Sequence, residues 1–244
     1  PATLDLSDLI ASNATFINGL EEYDYLGSAV HIADVNGDGI KDLLFKDAPS
    51  SDFKGLPYPL TSTLYGIFGK PDIWNSIANL TALETDFKVT GLPQGIAYTF
   101  SAGDFNGDGK ADLMLIVNSI SQQGGYILPG RATWPSTANL TTSSFPSVIP
   151  IRLDGLMGVG AGDFNGDGKD DLVLIAGYEH GQAAVSFGTA EWPSEYPAAN
   201  GFVVDAYYAR LYVSPQHAGD IDGDGCDDLV LTQVGRYPDG HGTV

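Results

Sequence analysis

The chain has 244 residues, including 31 Gly, 14 Pro and a single cysteine, Cys226, and its formal net charge is −20. So acidic a chain repels phosphate backbones, which excludes nucleic acid as a partner. No apolar run approaches the roughly 18 residues that span a bilayer, so we expect no membrane insertion. One cysteine allows no internal disulfide, so stability must come from another source.

The first elements in chain order are strands around an acidic segment. The small residues of 28–30 are typical of a strand. Segment 34–42 reads Asp-Val-Asn-Gly-Asp-Gly-Ile-Lys-Asp, and an apolar run begins at Leu43. The pattern therefore predicts a loop that connects two strands. A Phe-Gly pair at 68–69 and Trp74 follow.

The acidic segment recurs at 104–112, 163–171 and 220–228, so successive copies start 70, 59 and 57 residues apart. Trp74, Trp134 and Trp192 precede the next copy by 30, 29 and 28 residues. Two landmarks with one period indicate four repeats within a single domain, 1–244, at approximately 1–70, 71–131, 132–189 and 190–244. About 60 residues accommodate four strands, so we predict an all-β fold, a β-propeller of four-stranded blades.

Each acidic loop places oxygen-bearing side chains at alternate positions. Side chains at positions 1, 3, 5 and 9 and the backbone carbonyl of position 7 can converge on one cation, and Gly at position 6 permits the turn. The predicted metal ligands are Asp34, Asn36, Asp38, Ile40, Asp42, Asp104, Asn106, Asp108, Lys110, Asp112, Asp163, Asn165, Asp167, Lys169, Asp171, Asp220, Asp222, Asp224, Cys226 and Asp228.

An all-oxygen donor set favours calcium over zinc or copper, and Mg²⁺ tolerates a crowded protein cage poorly. An EF-hand requires an acid at position 12, which is here Phe45, Leu115, Leu174 or Leu231. We therefore predict about four Ca²⁺ ions, one in each inter-strand loop, in a structural role.

The unit resembles the FG-GAP repeat of integrin α propellers. The matching pieces are residues 26–30, the Asp loops, Lys46-Asp47-Ala48-Pro49 at the position of the family's Gly-Ala-Pro, and Tyr65-Gly66-Ile67-Phe68-Gly69. The resemblance implies a propeller, for which seven blades is the family's usual number. Only the first unit keeps Ala-Pro, and Leu128-Pro129 replaces Phe-Gly in the second.

The two ends of the chain leave the arrangement of blades open. The resemblance implies that residues 1–10 are an outer strand and that the chain ends, at 241–244, where the third strand of a last blade would begin. Residues 1–10 could therefore complete that blade. A ring closed by its own ends, four blades within a larger ring, and self-assembly by exchange of terminal strands all fit.

The sequence predicts an extracellular, secreted or cell-surface module that binds a protein or glycan ligand in adhesion or assembly. Alternatives are a glycan-binding lectin and an accessory propeller domain of a larger secreted enzyme. We predict no enzymatic activity in this chain, because it has no G-x-S-x-G elbow and its lone cysteine lies in a metal loop. His31 and His217 are interpreted as packed or solvated side chains.

Two further features have competing interpretations. Asn13, Asn79 and Asn139 begin Asn-x-Thr sequons and are candidate glycosylation sites of a secreted glycoprotein, although Asn79 and Asn139 share one repeat position. The recurring tryptophans could stack on sugar rings, but recurrence at a strand turn favours packing at a blade edge.

Overall fold

The computed structural model describes residues 16–19, 25–47, 62–70, 79–81, 85–92, 100–118, 123–140, 149–151, 156–176, 181–191, 200–206, 209–211, 216–217, 219–231 and 233–235. Every regular element in these ranges is a strand, so the expectation of an all-β fold is confirmed. The described segments contain no apolar helix of membrane-spanning length.

The strands are β1 (Phe16–Asn18), β2 (Ala29–Ala33), β3 (Asp42–Lys46), β4 (Ser62–Ile67), β5 (Asn79–Thr81), β6 (Phe87–Leu92), β7 (Phe100–Gly103), β8 (Asp112–Asn118), β9 (Gln123–Leu128), β10 (Thr137–Asn139), β11 (Ile149–Ile151), β12 (Leu156–Gly162), β13 (Asp171–Ala176), β14 (Gly181–Ser186), β15 (Gly201–Ala206), β16 (Ala209–Leu211), β17 (Gln216–His217), β18 (Leu229–Val230) and β19 (Gln233–Gly235).

Three sheets share one antiparallel plan. The first has the order β2-β3-β4-β6, the second β7-β8-β9-β11 and the third β12-β13-β14-β15. In each sheet an acidic loop joins the first two strands, as the sequence predicts. The fourth acidic loop lies between β17 and β18, and β16 pairs with β19 beyond them. The fourth unit therefore repeats the first hairpin of the plan.

The second strand of each complete sheet is buried on both faces. Leu113, Met114 and Leu115 of β8 are fully buried, and β13 has the same continuous apolar run. A continuous run, as opposed to an alternating one, is expected of a strand that has neighbouring sheets on both sides. The apolar segment after each acidic loop is thus the part of the sequence that holds neighbouring sheets together.

The first and second sheets share one hydrophobic core. Leu44, Leu64 and Phe87 of the first sheet pack with Leu113 and Leu115 of the second. A further core joins the third sheet to the fourth unit, where Val173 and Val185 meet residues that include Leu229 and Leu231. The units thus pack in chain order, side by side.

Short parallel strands connect neighbouring units at the outer edge. β10, which lies in the chain between β9 and β11 of the second sheet, pairs in parallel with β6 of the first sheet. β5, which lies in the chain between β4 and β6 of the first sheet, pairs in parallel with β1 in the same manner. β1 therefore occupies, relative to the first unit, the position that an outermost strand of a preceding sheet would have.

The sheets are offset from the repeat boundaries of the sequence. Each complete sheet takes its outermost strand from residues beyond the boundaries at 70, 131 and 189, namely β6, β11 and β15. The expected outer strand at 1–10 and the expected third strand at 241–244 lie outside the described residues.

Candidate metal centre

All four acidic loops adopt one backbone conformation. The glycines at positions 4 and 6 have positive φ in every copy, for example +75° at Gly37 and +86° at Gly39. The fourth loop has +81° at Gly223 and +93° at Gly225. A side chain would strain the backbone at either position, so the turn requires glycine at positions 4 and 6.

The first aspartate lies at the centre of its loop. In the first copy, Asp34 Oδ1 accepts the N–H of Gly37 at 2.7 Å, and Asp34 Oδ2 accepts that of Gly39 at 2.7 Å. Equivalent bonds join Gly109 to Asp104, Gly168 to Asp163 and Gly225 to Asp220. These bonds keep the carboxylate turned into the loop, toward the side chains of positions 3 and 5.

The side chains at positions 3 and 5 complete an oxygen-rich cluster. Asn36 Oδ1 accepts the N–H of Asp38 at 2.9 Å, and Asp38 Oδ1 accepts that of Ile40 at 2.8 Å. In the fourth loop all three positions are acidic, and carboxylate oxygens of Asp220, Asp222 and Asp224 lie within 4.8 Å of one another. Three exposed carboxylates at this distance repel each other, and a shared cation would relieve the repulsion.

The ninth aspartate has a structural contact that the sequence did not reveal. Asp42 is buried, and its Oδ2 accepts the N–H of Val35 at 2.9 Å while its Oδ1 accepts the N–H of Gly69 at 2.8 Å. Asp112 bonds Phe105 and Gly130 in the same way, and Asp171 bonds Phe164 and Gly188. Gly69 and Gly188 of the Phe-Gly pairs therefore bind this carboxylate, and Gly130 does so in the second unit. Pro129-Gly130, and not Leu128-Pro129 as the sequence suggested, thus takes the place of Phe-Gly there.

Burial dominates the ionisation of the ninth aspartate. It raises the pKa of Asp112 to about 8; the two backbone N–H bonds oppose the rise, and the charges of Asp108 and Asp104 add to it. The same causes raise the pKa of Asp171 to about 6. A divalent cation among the loop acids would favour the ionised form and lower both pKa values.

Backbone hydrogen bonds connect each loop to the next. The N–H of Ala111 donates to the carbonyl of Asp34 at 2.7 Å, and the N–H of Asp170 donates to that of Asp104 at 3.0 Å. Asp227 repeats the bond to Asp163 at 2.8 Å. Position 8 of one loop thus always donates to position 1 of the preceding loop.

An acid at position 8 adds a reciprocal bond. Asp170 Oδ2 accepts the N–H of Asp104 at 2.6 Å, and Asp227 Oδ2 accepts that of Asp163 at 2.8 Å. Position 8 of the second loop is Ala111, which has no such acceptor. The acids at position 8 are therefore contacts between loops, a role that sequence spacing alone did not indicate.

The side chain at position 7 lies against the preceding loop. A Cβ on Gly37 would lie 2.7 Å from Cγ of Lys110, and a Cβ on Gly107 would lie 3.0 Å from Cγ of Lys169. Cys226 lies beside Gly166 in the same way. Position 4 must be small here not only for its φ but because the next loop's side chain covers it.

A sequence comparison identifies the motif that carries this geometry. The family profile described as "FG-GAP repeat" matches residues 97–124 and 157–187. These two segments are FG-GAP repeats. Each contains an acidic loop and the strand that follows it, which confirms the resemblance noted in the sequence. The loops at 34–42 and 220–228 share the motif and the backbone conformation of the matched FG-GAP loops.

Comparisons with whole proteins find structures that are similar to this chain at low sequence identity. No curated protein sequence matches the chain. The chain is similar to the exotype rhamnogalacturonan lyase YesX, with 17% identity, a TM-score of 0.45, 87% of this chain covered and 39% of that one. Rhamnogalacturonan lyase YesW gives 15% identity, a TM-score of 0.47 and coverages of 88% and 41%. The chain thus spans about two fifths of these enzymes.

Trp134 is a packing residue in the core that the first and second sheets share. It is buried, its ring stacks on Phe87 with centroids 4.4 Å apart, and its Nε1–H donates to the carbonyl of Val35 at 3.1 Å. The guanidinium of Arg131 lies 5.4 Å from the ring centroid. Trp134 is therefore no exposed platform for a sugar, whereas Trp74 and Trp192 lie outside the described residues.

His31, His217, Asn79 and Asn139 lie on strands. Burial lowers the pKa of His31 despite a backbone hydrogen bond with Ala102 that acts to raise it; the charge of Lys41 lowers it further. His217 lies in β17 beside the fourth loop. Asn79 and Asn139 lie in β5 and β10, the parallel edge strands, and Asn13 is outside the described residues.

Proposed function

We propose that the chain is a calcium-binding propeller segment that acts outside the cell as an adhesion, assembly or ligand-binding module. The observation that carries the proposal is the convergence of the carboxylates of Asp220, Asp222 and Asp224 within 4.8 Å. The other three loops have the same backbone, with an asparagine oxygen at position 3. We therefore propose about four calcium sites, one in each loop.

The residues present fit a hard cation. The donors at positions 1, 3 and 5 are carboxylate or amide oxygens, and no thiolate or imidazole is among them, which suits calcium. The carbonyl of position 7 would contribute a fourth donor. The ninth aspartate, predicted as a further ligand, accepts two backbone N–H bonds in each of the first three loops. There it would hold the loop in place and supply further negative charge to the ion.

Exposed apolar residues on the first sheet and in the fourth unit support a larger propeller. At position 2 of the loop, Val35 and Phe105 are 0% and 1% exposed, whereas Ile221 of the fourth loop is 68% exposed. On the first sheet, Val30 and Ile32 are 58% and 63% exposed. We propose that further sheets of the same kind cover both ends and close the ring.

The proposed location follows from the usual strength of such sites. Calcium sites of extracellular modules bind at roughly 10⁻⁴–10⁻³ M, a range that is filled outside cells and empty in the cytosol. A lectin that uses the repeated tryptophans receives no support from Trp134, whose ring and N–H are both occupied within the protein.

Calorimetric titration of the metal-free chain with calcium tests the proposal. We expect saturable binding, and we expect Asp224→Asn to weaken or remove one site. Asp205→Asn, which removes one exposed carboxylate on β15 outside the four loops, is the matched control and should bind as the parent does. The upper end of the expected range is a dissociation constant of about 10⁻³ M. No binding at a calcium concentration ten times higher would refute the proposal.

A further inference from the structure

Lysine occupies position 7 in two of the four loops, and its ammonium reaches an acid of the same loop. Lys110 Nζ lies 3.3 Å from Asp108 Oδ1 and donates to the carbonyl of Asp108 at 3.2 Å. Lys169 Nζ lies 3.2 Å from Asp167 Oδ1. Asp108 and Asp167 stand at position 5, a predicted ligand position, so each ammonium contacts a carboxylate that a bound cation would use.

The two lysine stems are held in place by the preceding loop. The Cγ atoms of Lys110 and Lys169 lie over Gly37 and Gly107, so near that a methyl group on either glycine would clash. The lysine side chains are only about a quarter exposed, 25% and 26%. Since packing already restricts the stems, less rotamer entropy is lost in the ion pair than for a free surface lysine.

The other two loops have no ammonium at this position. Position 7 is Ile40 in the first loop and Cys226 in the fourth. Lys41, at position 8 of the first loop, is exposed and forms no ion pair with the described acids of that loop. The fourth loop also has Asp222 where the others have Asn, so it has the greatest negative charge and no attached cation.

We propose that Lys110 and Lys169 are built-in counter-ions that compete with the metal and make the second and third loops weaker calcium sites than the first and fourth. This inference rests on the proposed calcium function. A surface ion pair is worth little, so we expect the lysine to weaken each of these two sites roughly two- to fivefold. The difference should shrink at high salt, which screens the ammonium.

Calcium titration followed by amide NMR resolves the individual loops. The N–H of the glycine at position 6 donates to the first aspartate, so Gly39, Gly109, Gly168 and Gly225 report one loop each. We expect Gly225 and Gly39 to shift at lower calcium than Gly109 and Gly168.

Lys110→Met keeps the packed stem and removes the charge. We expect it to move the midpoint of Gly109 two- to fivefold lower in calcium, and Lys169→Met to do the same for Gly168. Lys70→Met is the matched control, because Lys70 Nζ pairs with Asp86 at 3.3 Å outside any loop, and it should change no midpoint. Cys226→Lys should weaken the fourth site.

The outcomes separate the two proposals. If none of the four glycines responds to calcium, the proposed function itself fails. If all four respond at one concentration and Lys110→Met and Lys169→Met leave the midpoints of Gly109 and Gly168 unchanged, the calcium function stands and the lysine proposal is overturned. Amide spectra of the parent and variants confirm in the same experiment that each variant is folded.

Discussion

Asp42 and Gly69 are 27 residues apart, and Asp42 Oδ1 accepts the N–H of Gly69 at 2.8 Å. The other oxygen of this buried carboxylate accepts the N–H of Val35, inside the acidic loop. One side chain therefore fixes the loop to the end of the third strand of its sheet. The same contact recurs at Asp112 with Gly130 and at Asp171 with Gly188, so it is a property of the repeat.

Loss of this contact should destabilise the protein. Above a pH of about 8, where Asp112 is ionised, Asp112→Asn replaces one buried acceptor oxygen by an NH₂ group that faces a backbone N–H, so one buried donor loses its partner. We expect a cost of about 1–3 kcal/mol in the free energy of unfolding, measured by urea denaturation. The exposed Asp205→Asn should change it by less than about 0.5 kcal/mol. Equal stabilities of the two variants would contradict the role assigned to Asp112.

Removal of calcium should lower the melting temperature. A ligand that binds only the folded state stabilises it by about 1.4 kcal/mol per site at ten times the dissociation constant. Calorimetric scans in calcium and in excess EDTA measure this difference. The same melting temperature in both conditions would count against bound calcium as a source of stability.

The metal-free protein should lose stability as the pH rises. The pKa of Asp112 is raised from 3.8 to about 8 in the folded state, so its contribution is fully present below the lower value and declines through the higher one. Asp171 acts similarly up to about 6. Urea midpoints of metal-depleted protein across this interval should fall less steeply in Asp112→Asn. An identical pH slope in parent and variant would be inconsistent with the raised pKa.

Trp134 should contribute to stability through both its ring and its N–H. Trp134→Phe removes the hydrogen bond to Val35 and should cost about 1 kcal/mol, whereas Trp134→Ala also empties the core beside Phe87 and should cost about 3–5 kcal/mol. Guanidinium denaturation measures both. An alanine variant as stable as the parent would show that this ring is not part of the core.

The sequence predicted the local features of the fold correctly. Alternating acids and glycines define the loop, and the apolar runs after it define the central strands, because both depend on neighbours within a few residues. The Phe-Gly pair was recognised as a landmark, but not as the partner of the ninth aspartate. That bond joins positions 17 to 27 residues apart, and no local period encodes it.

The local sequence pattern also did not predict the contacts between units. The acids Asp170 and Asp227 at position 8 have the composition of an ordinary exposed loop, yet each accepts an N–H from the preceding loop, 66 and 64 residues away. The parallel pairing of β10 with β6 was likewise not predicted, because the sequence of a short edge strand does not show which strand it pairs with. The signal available for the contacts of Asp170 and Asp227 was the recurrence of an acid at position 8 in two of the four loops.

The bonds between loops give the row of sheets a direction. Each unit donates from position 8 to the unit before it and accepts at position 1 from the unit after it. Two position 8 N–H groups therefore cannot bond each other, and neither can two position 1 carbonyls. A position 8 N–H can bond the position 1 carbonyl of any preceding unit. Tandem duplication of a gene segment of this size would lengthen the row without a new type of contact, and deletion would shorten it as simply.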